Sequence, residues 1–544
     1  MDMVREQDRG KEHFGKLPFA IQSFAQLREG GYKYVDKTDL IWEIAHGPLV
    51  QFFARPRRFG KSLMIGTLKS YFEGRGELFE GLKAEALRQA AGETEWEKHP
   101  TFVFGFSASS FTRENDVYDV TDFQLVPYED TYGLPHEGSI GVRLKAIIRA
   151  AHDAGGPKPV ILVDEYDNPL TDTISADKRA LHLHYKNELR GFYKAIKESA
   201  ELLRLVVITG ITQFAELSLF SGINQLRNKS FDEAYATLFG FTEEEVRTVY
   251  AEEVEQLGAR LGLSFEGTMD ALRQHYDGYR FTPAEVHVYN PQSIIFAFDE
   301  GMLMNFWANT GTSNLLATVF PIYSYDFSLL TSPVECPVNS LSKLDESGEN
   351  PIPLLYQSGY LTIQYCSIRT GLLELVIPNR EVRSAFWEVV LPLYGAGAVH
   401  LPAPFVRRLE QGDVASAMEK LEALLAGVPY STMSRQRRPK LYEELLQTAL
   451  YAWFSALGVM VQTEVHSVRG RADAVVYLPD TTYLFELKVG PRAYSAQDAL
   501  EQIRSKGYAT PHLGKGLRVV AIGVSVDTRE ESRGDMEWVS EEIG

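Results

Sequence analysis

The feature that most constrains the fold of this chain is a basic turn between an apolar segment and a helix. Residues 48–54 read as a buried strand, residues 55–62 have the sequence RPRRFGKS, and a helix is predicted from about residue 61. A strand, a glycine-containing turn and a helix in this order favour an anion, because backbone N–H groups and the helix N-terminus point at it. The sequence therefore predicts a P-loop at this turn.

The polar residues of the turn are candidates for holding a nucleotide. Lys61 is predicted to reach the β- and γ-phosphates as a point charge, and the hydroxyl of Ser62 to ligate Mg²⁺. Gly60 precedes them at the start of the helix. Arg57 and Arg58 either contact phosphate or face solvent. These residues predict ATP and Mg²⁺ as ligands.

A second apolar segment ends in paired carboxylates. Residues 160–163 (VILV) precede Asp164 and Glu165, and Asp167 lies two residues further on. In P-loop ATPases such a strand lies beside the P-loop strand, and its first acid holds the magnesium while the next polarises the attacking water. We predict Asp164 as a Mg²⁺ partner and Glu165 as the general base. The alternative is a buried strand with an acidic exit turn.

Strands and helices alternate through the same region. Helices are predicted over residues 140–151 and 178–203, and a strand over residues 205–209 ends at Thr209. This alternation favours a parallel α/β sheet. Thr209 is predicted to sense the bound nucleotide, with a capped strand end as the alternative.

Paired acids and a lysine recur near the C-terminus. Asp473 lies in GRADAVV, and thirteen residues later Glu486 begins the pair Glu486 and Lys488 in YLFELK; both segments read as strands of one hairpin. Residues two apart in a strand point to the same face. Asp473 and Glu486 are predicted to converge on Mg²⁺, which activates water, while Lys488 orients the water or stabilises charge. A surface salt bridge is the alternative.

Two neighbouring helices are predicted to contribute to this second site. Glu443, in a helix over residues 441–457, is predicted as a further metal ligand. Glu444 is the alternative ligand, and a solvated helix face would explain either residue without a metal. Gln502 and Tyr508, in a helix that begins near residue 495, are expected to line the same cleft.

Length and charge limit these interpretations. A chain of 544 residues exceeds what one hydrophobic core serves, about 250–300 residues, so two or three domains are expected. The formal net charge of −18 argues against a protein that coats nucleic acid with its whole surface. Residues 434–526 nevertheless carry twelve Lys and Arg against eight Asp and Glu, a net of +4.

The distribution of apolar residues and the two cysteines indicate in which cellular compartment we expect the protein. The first residues lack an apolar signal segment, and no run approaches the roughly 18 apolar residues that span a bilayer. We therefore expect a cytoplasmic protein without a membrane partner. Cys336 and Cys366 have no Cys or His at metal-binding spacing, so we expect reduced core thiols.

An ordered series of motifs runs through nearly the whole chain. The motifs are YVDKT (34–38), RPRRFGKS (55–62), VDEYDNP (163–169), YDGYRF (276–281), YNPQS (289–293), LYQSGYLT (355–362), IPNREV (377–382), GRAD (470–473), FELK (485–488) and ALEQIRSKGY (499–508). On these motifs the chain resembles a bacterial family that joins an AAA-ATPase-like domain to a PD-(D/E)XK nuclease domain. The P-loop of that family also begins RPRRFGK. Arg55 therefore departs only from the general motif, which has glycine there.

The resemblance implies an α/β fold with a P-loop NTPase-type parallel sheet and a C-terminal restriction-endonuclease-like α/β domain. Short elements, aromatic residues and turns over residues 290–391 predict a small winged-helix-like or lid region before that last domain. We place an AAA-like ATPase domain at residues 1–288, the lid at 289–395, a helical linker at 396–434 and the nuclease-like domain at 435–544. ATP and Mg²⁺, or Mn²⁺, are the expected cofactors. Nucleic acid is the expected partner, with DNA favoured over RNA, and a homo-oligomer is expected by analogy with other P-loop ATPases.

Three hypotheses follow for the function. The first is an ATP-dependent or ATP-regulated, Mg²⁺-dependent nuclease, which the family's presumed role in defence or on mobile elements would suit. The second is a nucleotide-switched protein, in nucleic-acid binding or signalling, whose nuclease fold is inactive. The third is an ATPase with a structural C-terminal domain.

Overall fold

A computed structural model gives the fold of most of the chain. It describes residues 16–19, 21–107, 111–213, 226–307, 323, 325, 330, 333–341, 350–390, 403–426, 460–467, 470–478, 480–490, 495–513, 517–527 and 536–543. These residues separate into two compact units. The first contains the described residues up to 306 with 323 and 334–378, and the second contains 307, 325, 330, 333 and the described residues from 379 onward.

The helices and strands of the first unit alternate through its first 230 residues. They are α1 (Phe24–Glu29), α2 (Thr38–Ala45), β1 (Val50–Ala54), α3 (Lys61–Phe72), α4 (Lys83–Ala90), β2 (Thr101–Gly105), α5 (Asp116–Tyr132), α6 (Ile140–Asp153), β3 (Val160–Asp164), α7 (Asn168–Thr171), α8 (Arg179–Glu198), β4 (Leu205–Gly210), β5 (Leu226–Asn228), α9 (Glu243–Val249), α10 (Ala251–Leu261), α11 (Phe265–Tyr276), α12 (Pro291–Glu300), β6 (Val334–Pro337), α13 (Ile352–Gln357), β7 (Thr362–Ser367) and β8 (Leu372–Val376).

Five strands of the first unit form a parallel sheet in the order β2-β3-β4-β1-β5. Every residue of β1, β3 and β4 is buried, which explains why these strands are continuous apolar runs. The sheet is of the parallel α/β type that the alternating sequence predicted. The expectation that the strand ending in Asp164 lies directly beside the P-loop strand was wrong, because β4 lies between β3 and β1 and pairs with both. Because its strands are parallel, the carboxyl ends of β1, β3 and β4 meet at one edge.

Helices α5, α6 and α8 pack over the sheet. Their apolar faces join the strand side chains in one core that includes Ile147 and Phe192, both almost fully buried. Within this helical layer Arg143 pairs with Glu129, with Nη2 and Oε2 2.7 Å apart. A separate antiparallel sheet, in the order β6-β8-β7, completes the strands of the first unit.

The second unit contains a five-stranded mixed sheet. Its elements are α14 (Arg380–Val390), α15 (Ala403–Glu410), α16 (Val414–Ala426), β9 (Met460–Ser467), β10 (Gly470–Tyr477), β11 (Thr481–Gly490), α17 (Ala496–Lys506), β12 (Arg518–Asp527) and β13 (Met536–Glu542). The strand order is β13-β12-β11-β10-β9, with β11 and β12 parallel and the other pairs antiparallel. The hairpin predicted from GRADAVV and YLFELK is the β10–β11 pair.

The register of the hairpin brings its two acids together. Ala474 pairs with Phe485, so Asp473 and Glu486 are the next residues along the two strands. The backbone N–H of Leu487 donates to Oδ2 of Asp473 at 2.7 Å, which fixes the Asp473 side chain against β11.

Helix α17 lies against β11 and β12 with a defined start. Ser495 and Asp498 form a reciprocal capping box at its N-terminus, which satisfies two backbone donors that the helix leaves unpaired. Close packing on β12 depends on Gly523, which is the β12 partner of Glu486. A Cβ on Gly523 would lie 2.3 Å from the carbonyl oxygen of Ala496 and 2.6 Å from the backbone nitrogen of Leu500.

We predict that Gly523→Ala lowers the free energy of unfolding of the second unit by about 1–3 kcal/mol, because the added methyl group meets helix backbone that cannot rotate away. Calorimetric unfolding measures the effect. Gly105→Ala at the end of β2 is the control, since a Cβ there has no heavy atom within 4 Å. Equal effects of the two substitutions would contradict this account of the helix packing.

Candidate functional site

The P-loop prediction coincides with a turn from β1 into α3. Gly60 has φ 96° and is the residue before the first turn of α3. This left-handed conformation suits glycine, because a Cβ would be strained there. Arg58 is exposed and also has a positive φ, 71°. Ser62 is the second residue of α3, so it lies at the positive end of the helix dipole.

Lys61 is folded into the turn in this structure. Its side chain is only 4% exposed, and Nζ donates to the carbonyl oxygens of Arg55 and Pro56, both at 2.9 Å. Burial lowers the pKa of Lys61, and the carboxylates of Glu165, Asp164 and Asp167 oppose that effect.

Asp164 and Thr209 meet across two neighbouring strands. The hydroxyl of Thr209 donates to Oδ1 of Asp164 at 2.5 Å, and both side chains are buried. Glu165 follows Asp164 with φ 52°, a conformation that non-glycine residues rarely adopt. Burial raises the pKa of Glu165, the Lys61 charge lowers it, and the Asp164 charge raises it further.

Asp167 joins the ends of β3 and β4. Its carboxylate accepts from the backbone N–H groups of Ile211, at 3.0 Å, and Thr212, at 2.6 Å, and from the Thr212 hydroxyl at 2.5 Å. In the sequence, Asp167 is identified only as an acid near Asp164 and Glu165. The pattern that could have indicated its role is an acid between a buried strand and the Asn-Pro start of α7. Arg57, predicted near phosphate, donates from Nη2 to Oδ1 of Asn168 at 3.4 Å.

The structure thus brings Lys61, Asp164, Glu165 and Thr209 to the edge where the parallel strands end. Gly60, Ser62, Arg57 and Arg58 occupy the adjoining turn. This is the edge at which parallel α/β sheets bind ligands.

The second site centres on Glu486, which is 2% exposed. Its Oε1 accepts from Nζ of Lys488 at 3.0 Å and from the side-chain amide of Gln502. Its other oxygen, Oε2, is buried and has no hydrogen-bond partner among the described residues. Burial, and then the charge of Asp473, raise the pKa of Glu486 to about 7, against the opposing influence of Lys488 and of the nearby Asp473 backbone N–H.

Gln502 and Lys488 form a small network around this carboxylate. Nζ of Lys488 donates to Oε1 of Gln502 at 2.7 Å, and Nε2 of Gln502 lies 3.3 Å from the hydroxyl of Tyr508. Of the two residues expected to line the cleft, Gln502 therefore contacts Glu486 directly, and Tyr508 contacts Gln502. Glu443 and Glu444 lie outside the described residues.

The site offers few metal ligands of its own within the described part of the chain. In the ranges given above there is no group of three or more His, Cys, Asp or Glu side chains placed to hold a metal. Asp473 and Glu486 are a pair, and an oxygen donor from elsewhere would complete the coordination of a hard cation. The unpartnered Oε2 of Glu486 fits such a cation. Separately, none of the described helices has the length and apolar character of a membrane span.

Fold and sites define a two-part protein, with a P-loop NTPase-type sheet in one unit and a mixed sheet bearing an Asp, Glu and Lys constellation in the other. A family profile described as "Predicted AAA-ATPase" matches residues 18–220, and one described as "PD-(D/E)XK nuclease superfamily" matches residues 441–536. The chain belongs to the family that joins these two domains.

One relative matches this chain over nearly its whole length. An uncharacterized protein in the vnfD 5′ region of Azotobacter chroococcum is 31% identical over 542 residues, which cover 97% of this chain and 99% of that protein. A crystal structure of a signal transduction ATPase with numerous domains and a tetratricopeptide repeat sensor, from Pyrococcus horikoshii, is 10% identical. That match covers 78% of this chain, spans 57% of the length of the other and has a TM-score of 0.24.

The raised pKa of Glu486 predicts how stability depends on pH. Between pH 4.5, the ordinary pKa of a glutamate, and about pH 7, the folded protein binds a proton at Glu486 more tightly than the unfolded chain does. The free energy of unfolding of the metal-free protein therefore falls as the pH rises through this window. Glu486→Gln keeps an acceptor for Lys488 and removes the ionisation, so it should stabilise the protein at pH 8 by up to roughly 3 kcal/mol.

Calorimetry in EDTA at pH 5 and pH 8 measures this difference, which should shrink at the lower pH. Glu501→Gln is the matched control, because Glu501 is exposed and lies one residue from Gln502 on α17. If Glu486→Gln leaves the free energy of unfolding unchanged at pH 8, the pKa of Glu486 is not raised by the fold.

Proposed function

We propose that this protein is a nucleotide-controlled, divalent-metal-dependent nuclease that cleaves phosphodiester bonds of nucleic acid. The observation that carries the proposal is the buried Glu486, which lies beside Asp473, contacts Lys488 and has one oxygen without a hydrogen bond among the described residues. A structural ion pair would satisfy both oxygens, because an unmet buried acceptor is unfavourable by about 1–3 kcal/mol. A cation-binding role explains why the site keeps it.

Asp473 and Glu486 would hold Mg²⁺ or Mn²⁺, with Glu443 as a proposed third ligand. The bound cation supplies Lewis acidity and lowers the pKa of water. The protein supplies the geometry. The N–H of Leu487 orients Asp473, and Gln502 and Lys488 both hold Oε1 of Glu486, which leaves Oε2 for the metal.

Lys488 contributes a positive charge on the side of β11 that carries Glu486. Its Nζ bridges Glu486 and Gln502, so the ammonium is held rather than free in solvent. In that position it stabilises negative charge that develops on a phosphate oxygen during attack by water. The net charge of +4 over residues 434–526 favours a polyanionic substrate, and we propose DNA before RNA.

The first unit supplies the nucleotide site. Lys61 would exchange its two carbonyl acceptors for the β- and γ-phosphates, and Ser62 with Asp164 would hold the accompanying magnesium. We assign Glu165 as the general base for hydrolysis and Thr209 as the residue that positions Asp164. Arg57 and Arg58 would contact phosphate from the turn, beside Gly60.

We predict that the wild-type protein cleaves at least one of four substrates, single- and double-stranded DNA and RNA, in Mg²⁺ or Mn²⁺. Glu486→Gln and Asp473→Ala should each lower the cleavage rate at least ~100-fold, because each removes a charged metal ligand. Lys61→Ala should leave the nuclease residues intact and abolish the effect of ATP on the rate. Gel-resolved time courses with and without ATP measure all of these rates.

Two controls make the assay specific. Glu501→Gln should cleave like the wild type, and ATP hydrolysis measured in parallel should be lost in Glu165→Gln. Cleavage that survives both Glu486→Gln and Asp473→Ala would overturn the proposal. Binding of nucleic acid without cleavage in either metal would instead support a nucleotide-switched binding protein with an inactive nuclease fold.

A further inference from the structure

The helical layer of the first unit exposes one large apolar side chain on each of its helices. Phe123 on α5 is 81% exposed, Val142 on α6 is 63% exposed and Leu183 on α8 is 53% exposed. The buried faces of the same helices build the core beneath them. A single exposed apolar residue is ordinary, whereas several on one surface mark a place where another molecule binds.

Contacts between the helices place α6 between α5 and α8. On one side, Arg143 of α6 pairs with Asp122 of α5 at 2.5 Å and with Glu129 of α5 at 2.7 Å. On the other side, Gly141 of α6 packs against Gly191 of α8. A Cβ on Gly141 would lie only 2.5 Å from the carbonyl oxygen of Gly191. The three helices thus form one closely packed layer, and their exposed residues share its outer surface.

Helix α5 presents an acidic stripe around Phe123. It has five Asp and Glu and no Lys or Arg, a net charge of −5. Asp119 and Asp130 are exposed and lie on the same side of the helix as Phe123, because spacings of four and seven residues return to one face. Gln124 and Tyr128 accept hydrogen bonds from backbone N–H groups of β2 at 2.7 and 2.9 Å. The stripe therefore lies on a helix that is fixed to the sheet.

Helix α8 has the opposite charge. It has five Lys and Arg and two Asp and Glu, a net charge of +3. Arg190 and Lys194 are exposed, and at seven and eleven residues from Leu183 they lie on the same side of the helix as that residue. Arg149 is exposed on the central helix α6. The outer surface therefore changes from acidic on α5 to basic on α8, with one apolar side chain on each helix.

A surface with this charge distribution is complementary to a second copy of itself. A two-fold axis that places α5 of one copy on α8 of the other pairs an acidic stripe with a basic stripe twice, as an isologous interface requires. Nucleic acid does not fit the whole surface, because α5 would repel its phosphates. The complementary partner is therefore another copy of this chain.

We propose that the protein forms a two-fold symmetric dimer through the α5–α6–α8 layer. Phe123, Val142 and Leu183 are buried between the copies, and each α5 faces the partner's α8. No residue of this surface belongs to either candidate site, so the dimer does not depend on the proposed function.

Sedimentation equilibrium of the full-length protein should give twice the mass of the chain. Phe123→Ser should raise the Kd of the dimer at least ~10-fold, because exposed aromatic side chains that become buried dominate interface energies. Ile368→Ser is the matched control and should leave the Kd unchanged, since Ile368 is 78% exposed and lies in the turn between β7 and β8. Thermal unfolding confirms that each variant folds.

Charge reversal tests the two-fold arrangement. Asp119→Lys with Asp130→Lys makes both stripes basic, and Arg190→Glu with Lys194→Glu makes both acidic. Each variant alone should be monomeric, because like charges then face each other across the interface. Mixed in equal amounts, the two variants should form a heterodimer, since every α5 then meets an α8 of opposite charge.

Glu255→Lys with Glu419→Lys is the control for the change in net charge. Both residues are exposed, on α10 and α16, and this variant should dimerise like the wild type. The dimer is contradicted by a wild-type mass other than that of two copies, or by equal Kd values for Phe123→Ser and Ile368→Ser. A dimer retained by either charge-reversed variant alone, or a mixture that stays monomeric, also overturns it. Phe123→Ser keeps the test valid if a charge-reversed variant does not fold.

Discussion

Two carboxylates held close together with one of them buried place the strictest demand on this structure. Asp473 and Glu486 repel each other, and burial adds to the free energy of ionising Glu486, so its pKa rises to about 7. The surrounding fold opposes the repulsion. The β10–β11 register fixes the two strands, the N–H of Leu487 holds Asp473, and α17 approaches closely enough at Gly523 for Gln502 to reach Glu486. A fold that holds two carboxylates together despite their repulsion is typical of a site that binds a cation.

In the first unit, the candidate site forms at the edge where parallel strands end. Parallel strands β1, β3 and β4 end together, so a lysine, two acids and a threonine far apart in sequence become neighbours. Without phosphate, Lys61 is satisfied by two carbonyl oxygens of its own turn. Asp167 and Thr209 each bridge β3 and β4 by side-chain hydrogen bonds. The Thr209 bond fixes the orientation of the Asp164 carboxylate.

Much of this was predictable, because the relevant signals are local. A continuous apolar run predicts a buried strand, which is how β1, β3 and β4 were placed, and residues two apart must share a strand face, which placed Glu486 with Lys488. The structure confirms the parallel sheet, and the family profiles confirm the two-domain family. The roles assigned to Lys61, Asp164, Asp473 and the other site residues remain predictions, and Glu443 lies outside the described residues.

Other features depend on tertiary contacts that no local pattern encodes. Arg55 lies in the basic run RPRRFGKS, in which no local pattern indicates burial, yet it is buried against the rings of Phe239 and Phe281. Likewise, the sequence does not reveal that one oxygen of Glu486 lacks a partner among the described residues, because this depends on Gln502 and Lys488 both contacting the other oxygen.

The most direct test of the cation site is Mn²⁺ binding, monitored by electron paramagnetic resonance in nucleotide-free protein carrying Lys61→Ala. Adding Glu486→Gln should remove the bound Mn²⁺ signal; an unchanged signal would contradict the account.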